Sequence, residues 1–163
     1  MISWTESIEA SAPVEVAWRA VLDQHQLMSW SAWPEATGFT FAVEGDGVSE
    51  GSCIVFTAPD GSEAGRQRIV EVDRERLTVR NRLRNRGPGG RVVEPEVDLR
   101  VDDLGGRVRV HLDFRVEPPV PRLLLPVARL FLARKIRPLH RKDLEQLRDQ
   151  LEARTTEGEA ASG

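Results

Sequence analysis

Near the N-terminus apolar and polar side chains alternate: Ile2, Trp4, Glu6 and Ile8 share one face, and Ser3, Thr5, Ser7 and Glu9 share the other. A period of two predicts a β-strand with one buried face. Toward the C-terminus the period lengthens. From Pro121 to Arg154, Leu123, Val127, Leu130, Phe131, Ile136, Leu139, Leu144, Leu147 and Leu151 keep an apolar stripe at helical spacing, with Arg129, Arg134, Lys142, Glu145 and Arg148 mostly between them. This predicts one long amphipathic helix, bent at Pro126 and Pro138.

Between these ends the pattern breaks into short segments. Ser11-Ala-Pro-Val-Glu supplies a helix-cap candidate, a proline suited to a first turn and an acid near the helix start. A short helix is expected over Pro13 to Leu22 and a second over Gln24 to Ser31, after which Trp30-Ser-Ala-Trp33-Pro34 sets two indoles beside a helix-ending proline. The period then returns to two: Phe39, Phe41 and Val43; Cys53 to Thr57; Gln67 to Asp73; Leu77, Val79, Asn81 and Leu83. Turn signals at Gly45-Asp-Gly47, Pro59-Asp-Gly61 and Asp73-Arg-Glu separate them and imply an antiparallel meander. The last hairpin is the clearest. Val97, Leu99 and Val101 face inward before Leu104-Gly-Gly106, and Val108, Val110, Leu112, Phe114 and Val116 face inward after it. The expected class is α+β: a curved seven-stranded antiparallel sheet around a long C-terminal helix, with two short helices between the first and second strands.

Composition narrows the function classes. With 163 residues and 40% hydrophobic content the chain suits a single domain, placed over 1–154, with the small polar residues 155–163 as a disordered tail. Its 23 Lys and Arg against 26 Asp and Glu give a net charge of −3, which offers no general attraction to nucleic acid or to an anionic membrane, local basic patches being a separate matter. One cysteine, Cys53, excludes an internal disulfide, and no apolar run approaches membrane length. The expectation is a soluble, cytoplasmic monomer or homodimer without stable membrane insertion.

With this element order in hand, the chain resembles the SRPBCC superfamily, which includes START lipid-transfer domains, pollen-allergen-like proteins and bacterial polyketide cyclase/dehydrase-like proteins. The resemblance covers about Ile2 to Leu151. It rests on Ile8-Glu-Ala-Ser-Ala-Pro-Val-Glu-Val-Ala-Trp18, on Ile69-Val-Glu-Val-Asp73 before Leu77, and on Leu139-His-Arg-Lys-Asp-Leu-Glu-Gln-Leu147. It implies a helix-grip fold with an apolar cavity between sheet and helix. The implied function is binding of a small hydrophobic molecule such as a lipid, polyketide or isoprenoid. Alternatives within the superfamily are an aromatase/cyclase-like enzyme acting on a polyketide chain, and an interaction module of the chaperone co-activator type.

The expected cavity wall comprises Trp4, Asn81, Val97, Leu99, Leu112, Phe114, Val127 and Phe131, with Trp30 and Trp33 either at its entrance or in the core beneath the short helices. Glu6 falls on the inward face between Trp4 and Ile8, where an unpaired carboxylate is costly and its pKa tends to rise. Such a group suits a general acid or base; alternatively, Glu6 reaches solvent or an arginine. Asn81, inward between Val79 and Leu83, would donate and accept inside the cavity or be a satisfied buried amide. His25, His111 and His140 lie in no ligand-spaced motif, so no metal and no cofactor is expected, and His111 and His140 are expected to face solvent. Arg84, Arg86 and Arg91 at one hairpin tip, with Arg129, Arg134, Lys135, Arg137, Arg141 and Lys142 on the helix, suit an anionic surface or a solvated face. The slightly acidic chain, and a sheet available to cover the apolar stripe, favour the solvated face.

Overall fold

The computed structural model describes residues 1–162. The chain runs through β1 (Ile2–Ala10), α1 (Val14–Leu22), α2 (Gln24–Trp30), α3 (Trp33–Thr37), β2 (Thr40–Glu44), β3 (Cys53–Thr57), β4 (Glu63–Asp73) and β5 (Thr78–Arg86). It continues through β6 (Val92–Val93), β7 (Glu96–Asp103), β8 (Val108–Val116), α4 (Leu125–Lys135) and α5 (Arg137–Ser162). All strand pairs are antiparallel, in the order β1-β8-β7-β5-β4-β3-β2, with the two-residue β6 attached to β5. The helix-grip architecture is therefore present: a curved antiparallel sheet with the C-terminal helices across its concave face.

Strand parity follows the alternation closely. Ile2, Trp4, Glu6 and Ile8 oppose Val116, Phe114, Leu112 and Val110 across β1 and β8, and Leu99 and Val101 oppose Leu112 and Val110 across β7 and β8. Val79, Leu99, Val108, Val110 and Leu112 are almost fully buried. The outer face carries the charges. Asp98 on β7 receives hydrogen bonds from Arg80 at 3.1 Å and Arg115 at 3.1 Å, and Glu96 receives them from Arg82 at 3.0 Å and Arg115 at 3.2 Å. His111 does not stand free in solvent on that face. Its Nδ1 lies 2.8 Å from Ser7 Oγ and its Nε2 lies 2.7 Å from Asp102 Oδ2, a cross-strand polar chain over β1, β8 and β7.

Two register shifts bend the sheet, at Phe56/Thr57 between β3 and β4 and at Ile69/Glu71 between β4 and β5. The second inserts Val70 as an extra residue in β4, and an unpaired residue in one strand increases local twist and curvature. Gly65 beside the first shift is there for a steric reason: a Cβ would meet Asn85 Oδ1 at 2.3 Å and the Arg84 carbonyl oxygen at 2.8 Å.

The helices depart from expectation in four places. Ser11 is not the cap of α1, which begins after Pro13 with no side-chain cap; its hydroxyl instead accepts from Arg107 Nη1 at 2.9 Å. A third short helix, α3, forms where a connection was expected, because Pro34 sits in its first turn and the missing N–H costs nothing there. The long helix bends at Ile136, between α4 and α5, as expected, since Pro138 cannot donate to the carbonyl of Arg134. Pro126 starts α4 and does not bend it. Finally, α5 continues to Ser162 over residues expected to be a disordered tail, and Thr155 Oγ1 donates to the Ser11 carbonyl oxygen at 3.1 Å. The rear of α5 is anchored by Leu144, Leu147 and Leu151, all essentially inaccessible, against β1, α1 and α2. Burial of each such leucine contributes about 1.5 to 3 kcal/mol.

Candidate functional site

The front of the sheet is not filled in the same way. A cavity of about 480 Å³ lies between the concave face and the helices, within the range of small-molecule sites. Phe41, Ile54 and Phe56 line it from β2 and β3, Leu83 and Val97 from β5 and β7, and Leu99, Leu112 and Phe114 from β7 and β8. Leu132 of α4 and Ile136 just after it close the cavity, with Trp30 and Trp33 from α2 and α3. Polar groups gather in two places: Glu63, Asn85 and Arg86 at the tips of β4 and β5, and His140, Asp143 and Ser31 where α5 meets the α2–α3 connection.

His140 and Asp143 stand three residues apart on α5 and so share a face. Both are buried, at 4% and 5% exposure. Nδ1 of His140 accepts from Trp4 Nε1 at 3.1 Å, and the imidazole packs against Phe114 with ring centroids 5.0 Å apart. Burial pulls its pKa down to about 4, although the Glu6 charge acts the other way. The ring is neutral at pH 7, with its proton on Nε2. Asp143 accepts from the Ala32 amide at 2.6 Å, from Trp33 Nε1 at 3.0 Å and from Ser31 Oγ at 3.4 Å. Burial pushes its carboxyl up to about 7 despite these three donors. The cavity wall therefore offers a hydrogen-bond donor, and beside it a carboxyl group that exchanges its proton near neutrality.

The sequence-derived candidates divide. Trp30, Trp33, Val97, Leu99, Leu112 and Phe114 line the cavity. The indole N–H groups of the two tryptophans are engaged within the protein, Trp30 on the Ala20 carbonyl at 2.9 Å and Trp33 on Asp143, so both rings offer a ligand their surface only. Trp4 stacks on Phe114 at 4.3 Å and supports the wall without lining it. Asn81 is on the inner face but is buried outside the lining, with Nδ2 unpartnered among the described residues. Val127 and Phe131 were expected in the wall and are not: they are 64% and 59% exposed on the far side of α4.

Glu6 does not enter the cavity as a base. It pairs with Arg137 Nε, and with Arg141 Nε at 3.1 Å. Burial alone would raise its pKa, but the hydrogen bonds and charges of the two arginines outweigh this and hold the carboxyl below its ordinary range. It fastens β1 to the first turns of α5. The residues missed were His140 and Asp143. A signal for them was available, because His140 precedes Leu144, Leu147 and Leu151 by four, seven and eleven residues, which is inward spacing. Among the described residues no group of three or more His, Cys, Asp or Glu is placed to hold a metal ion.

A sheet gripping a C-terminal helix over a lined cavity defines a helix-grip protein of the Bet v 1-like, SRPBCC type. The chain belongs to the polyketide cyclase / dehydrase and lipid transport family, whose model matches residues 1–152. Membership of that family supports a hydrophobic ligand in general terms. No curated protein matches the sequence. Solved structures of the same fold include a protein of Thermobifida fusca, 19% identical with a TM-score of 0.67 over 93% of each chain. Another is the major latex-like protein 151 of Panax ginseng, 13% identical with a TM-score of 0.59 over 91% of this chain and 96% of that one. Norcoclaurine synthase of Thalictrum flavum, solved in complex with dopamine and hydroxybenzaldehyde, is 14% identical with a TM-score of 0.56 over 88% and 84%. At these identities the likeness is one of fold.

Proposed function

We propose that the protein binds a small hydrophobic molecule of lipid, polyketide or isoprenoid type between the sheet and the α4–α5 helices, with the polar end of the ligand against His140 and Asp143. The observation that carries this is the cavity of about 480 Å³, walled by aromatic and aliphatic side chains with a localised polar pair. A helix packed on a solid core leaves no such space, because native interiors are close-packed. The interaction-module alternative has no use for it. An environment-sensitive apolar dye should bind the folded protein stoichiometrically and be displaced by fatty acids or flat polycyclic compounds. Val97→Phe, which adds bulk at the wall, should abolish dye binding in a protein that still unfolds cooperatively. Equal dye binding by Val97→Phe and the parent, or none by either, would overturn the assignment.

One observation favours a second role, that of a cyclase/dehydrase-like enzyme: Asp143 is poised near neutrality beside the donor of His140. In aldol closure of a bound polyketide chain, the Asp143 carboxylate would remove a proton from carbon next to a carbonyl. His140 Nε2–H would hydrogen-bond the carbonyl oxygen as it gains charge, and the new carbon–carbon bond would form at a second carbonyl. The Asp143 carboxyl would then return its proton to the resulting oxyanion; in a following dehydration the regenerated carboxylate would take a second proton from the same carbon and deliver it to the hydroxyl, which leaves as water as the carbon–carbon double bond forms. A binder tolerates Asp143→Asn with affinity retained, whereas an enzyme loses turnover while retaining affinity.

A further inference from the structure

Helix α4 is apolar on two sides, and the fold covers only one. Ala128, Leu132 and Ile136 pack toward the core and cavity. On the other side Val127, Leu130 and Phe131 are 64%, 51% and 59% exposed, and Leu123 and Leu124 just before them are 91% and 50% exposed. Val127, Leu130, Phe131 and Arg134 recur at i, i+3, i+4 and i+7, one face of a helix. Isolated exposed apolar residues are ordinary, but five within the nine residues from Leu123 to Phe131 mark an interaction surface.

Charge identifies what the surface meets. From Pro118 to Lys142 there is no Asp or Glu, in a chain whose net charge is −3. Arg122, Arg129, Arg134, Lys135 and Lys142 make no ion pair among the described residues. Arg91, at the basic tip between β5 and β6, donates to the Pro119 carbonyl oxygen at 2.9 Å and so places that tip beside the start of the same stretch. Apart from the buried His140, the stretch contains only apolar residues, proline and Arg or Lys. It holds no acidic side chain that would repel a lipid phosphate. A second copy docked through this face about a two-fold axis would set one cationic strip against another.

We infer that α4 is an interfacial helix that docks the protein on an anionic lipid surface, with Leu123, Val127, Leu130 and Phe131 in the headgroup–acyl boundary and the cations on lipid phosphates. Apolar insertion combined with Lys and Arg is the chemistry of such helices. At 11 residues α4 is too short to span, and no helix among the described residues is long and apolar enough to cross a membrane. The same helix walls the cavity through Leu132, with Ile136 just after it, so docking and the chamber share one element.

The test is flotation of the full chain with phosphatidylcholine vesicles with and without phosphatidylglycerol. Binding is expected only to the anionic vesicles and should fall steeply with added salt. The double variant Val127→Ser/Phe131→Ser should bind at least about tenfold more weakly, and Arg129→Gln and Arg134→Gln about fivefold more weakly each. All these side chains are exposed and outside the cavity lining, so the variants should melt as the parent does and retain apolar-dye binding. That control separates failure of docking from failure of the cavity assignment. Equal binding to neutral vesicles, anionic binding that the variants do not weaken, or no vesicle binding by a dimer that Phe131→Ser dissociates would overturn the inference.

Discussion

Trp4 and His140, 136 residues apart, share a hydrogen bond in which the indole Nε1 donates to the imidazole Nδ1 at 3.1 Å. A ring nitrogen that accepts carries no proton, so one strand residue fixes the tautomer that a helix residue presents to the cavity. Trp4→Phe keeps an aromatic ring on Phe114 and removes this donor together with part of the indole's volume. It should cost about 1 to 3 kcal/mol in denaturant melts. Nitrogen chemical shifts of His140 should show the single Nε2–H tautomer give way to a mixture; an unchanged tautomer would mean that Trp4 does not set it.

His140 and Asp143 should have opposite effects on stability. Between about 4 and its ordinary 6.5, His140 binds more protons unfolded than folded, so its contribution grows as pH rises. Asp143 binds more protons folded than unfolded between its ordinary 3.8 and about 7. Its contribution is full below 3.8 and is lost as pH rises through 7. The parent should show little pH dependence from this pair until the Asp143 decline near 7. Asp143→Asn should uncover the rising limb and His140→Gln the falling one, in urea midpoints measured across that range. Parallel curves for all three proteins would refute the assignment.

Glu6→Gln should behave as a loss of structure. Its carboxylate is mostly buried, but Arg137 and Arg141 are 37% and 56% exposed. The expected cost is therefore about 1 to 2 kcal/mol, between the surface and buried extremes. Because the folded pKa is lowered, this stabilisation is present above the ordinary 4.5 and is lost as pH falls through the folded value. Apolar-dye affinity should not change; a large change would return Glu6 to the site.

Phe131→Ala and Leu147→Ala should differ sharply. Phe131 is 59% exposed and Leu147 is fully buried. Leu147→Ala should cost about 2 to 5 kcal/mol, and Phe131→Ala within about 0.5 kcal/mol of zero. Urea melts of both variants check it.

The contrast between these two leucine-stripe positions also marks where the sequence could be read and where it could not. In β1, β7 and β8 one face is buried and one solvated, so parity named the inner residues from Ile2 to Val116. In α5, Leu144, Leu147 and Leu151 were equally plain. Helix α4 has apolar residues on both sides, and periodicity alone cannot say which side the sheet takes. The α5 stripe carried back through Pro138 reaches Val127 and Phe131, whereas beyond the bend at Ile136 it is Ala128 and Leu132 that pack inward. The adjoining Arg141 suggests a solvent position for His140, although adjacent helix positions point about 100° apart. Strand parity sets Glu6 opposite Leu112, but which arginines it meets could not be read locally, since Arg137 and Arg141 lie 131 and 135 residues away.

The unequal anchoring of α4 and α5 on either side of the bend at Ile136 bears on how this chain tolerates changes in length. In an unbroken helix, inserting one residue turns everything beyond it by about 100° and shifts it by about 1.5 Å. Here α5 is held by Leu144, Leu147, Leu151 and the Glu6 pairing, whereas α4 has no fully buried residue, so α4 is the part that moves when its length changes. A residue gained or lost ahead of Ile136 alters the roof of the chamber and leaves His140 and Asp143 in register with Trp4 and Trp33. The fold thus separates the part that can vary with the ligand from the part that holds its polar contacts.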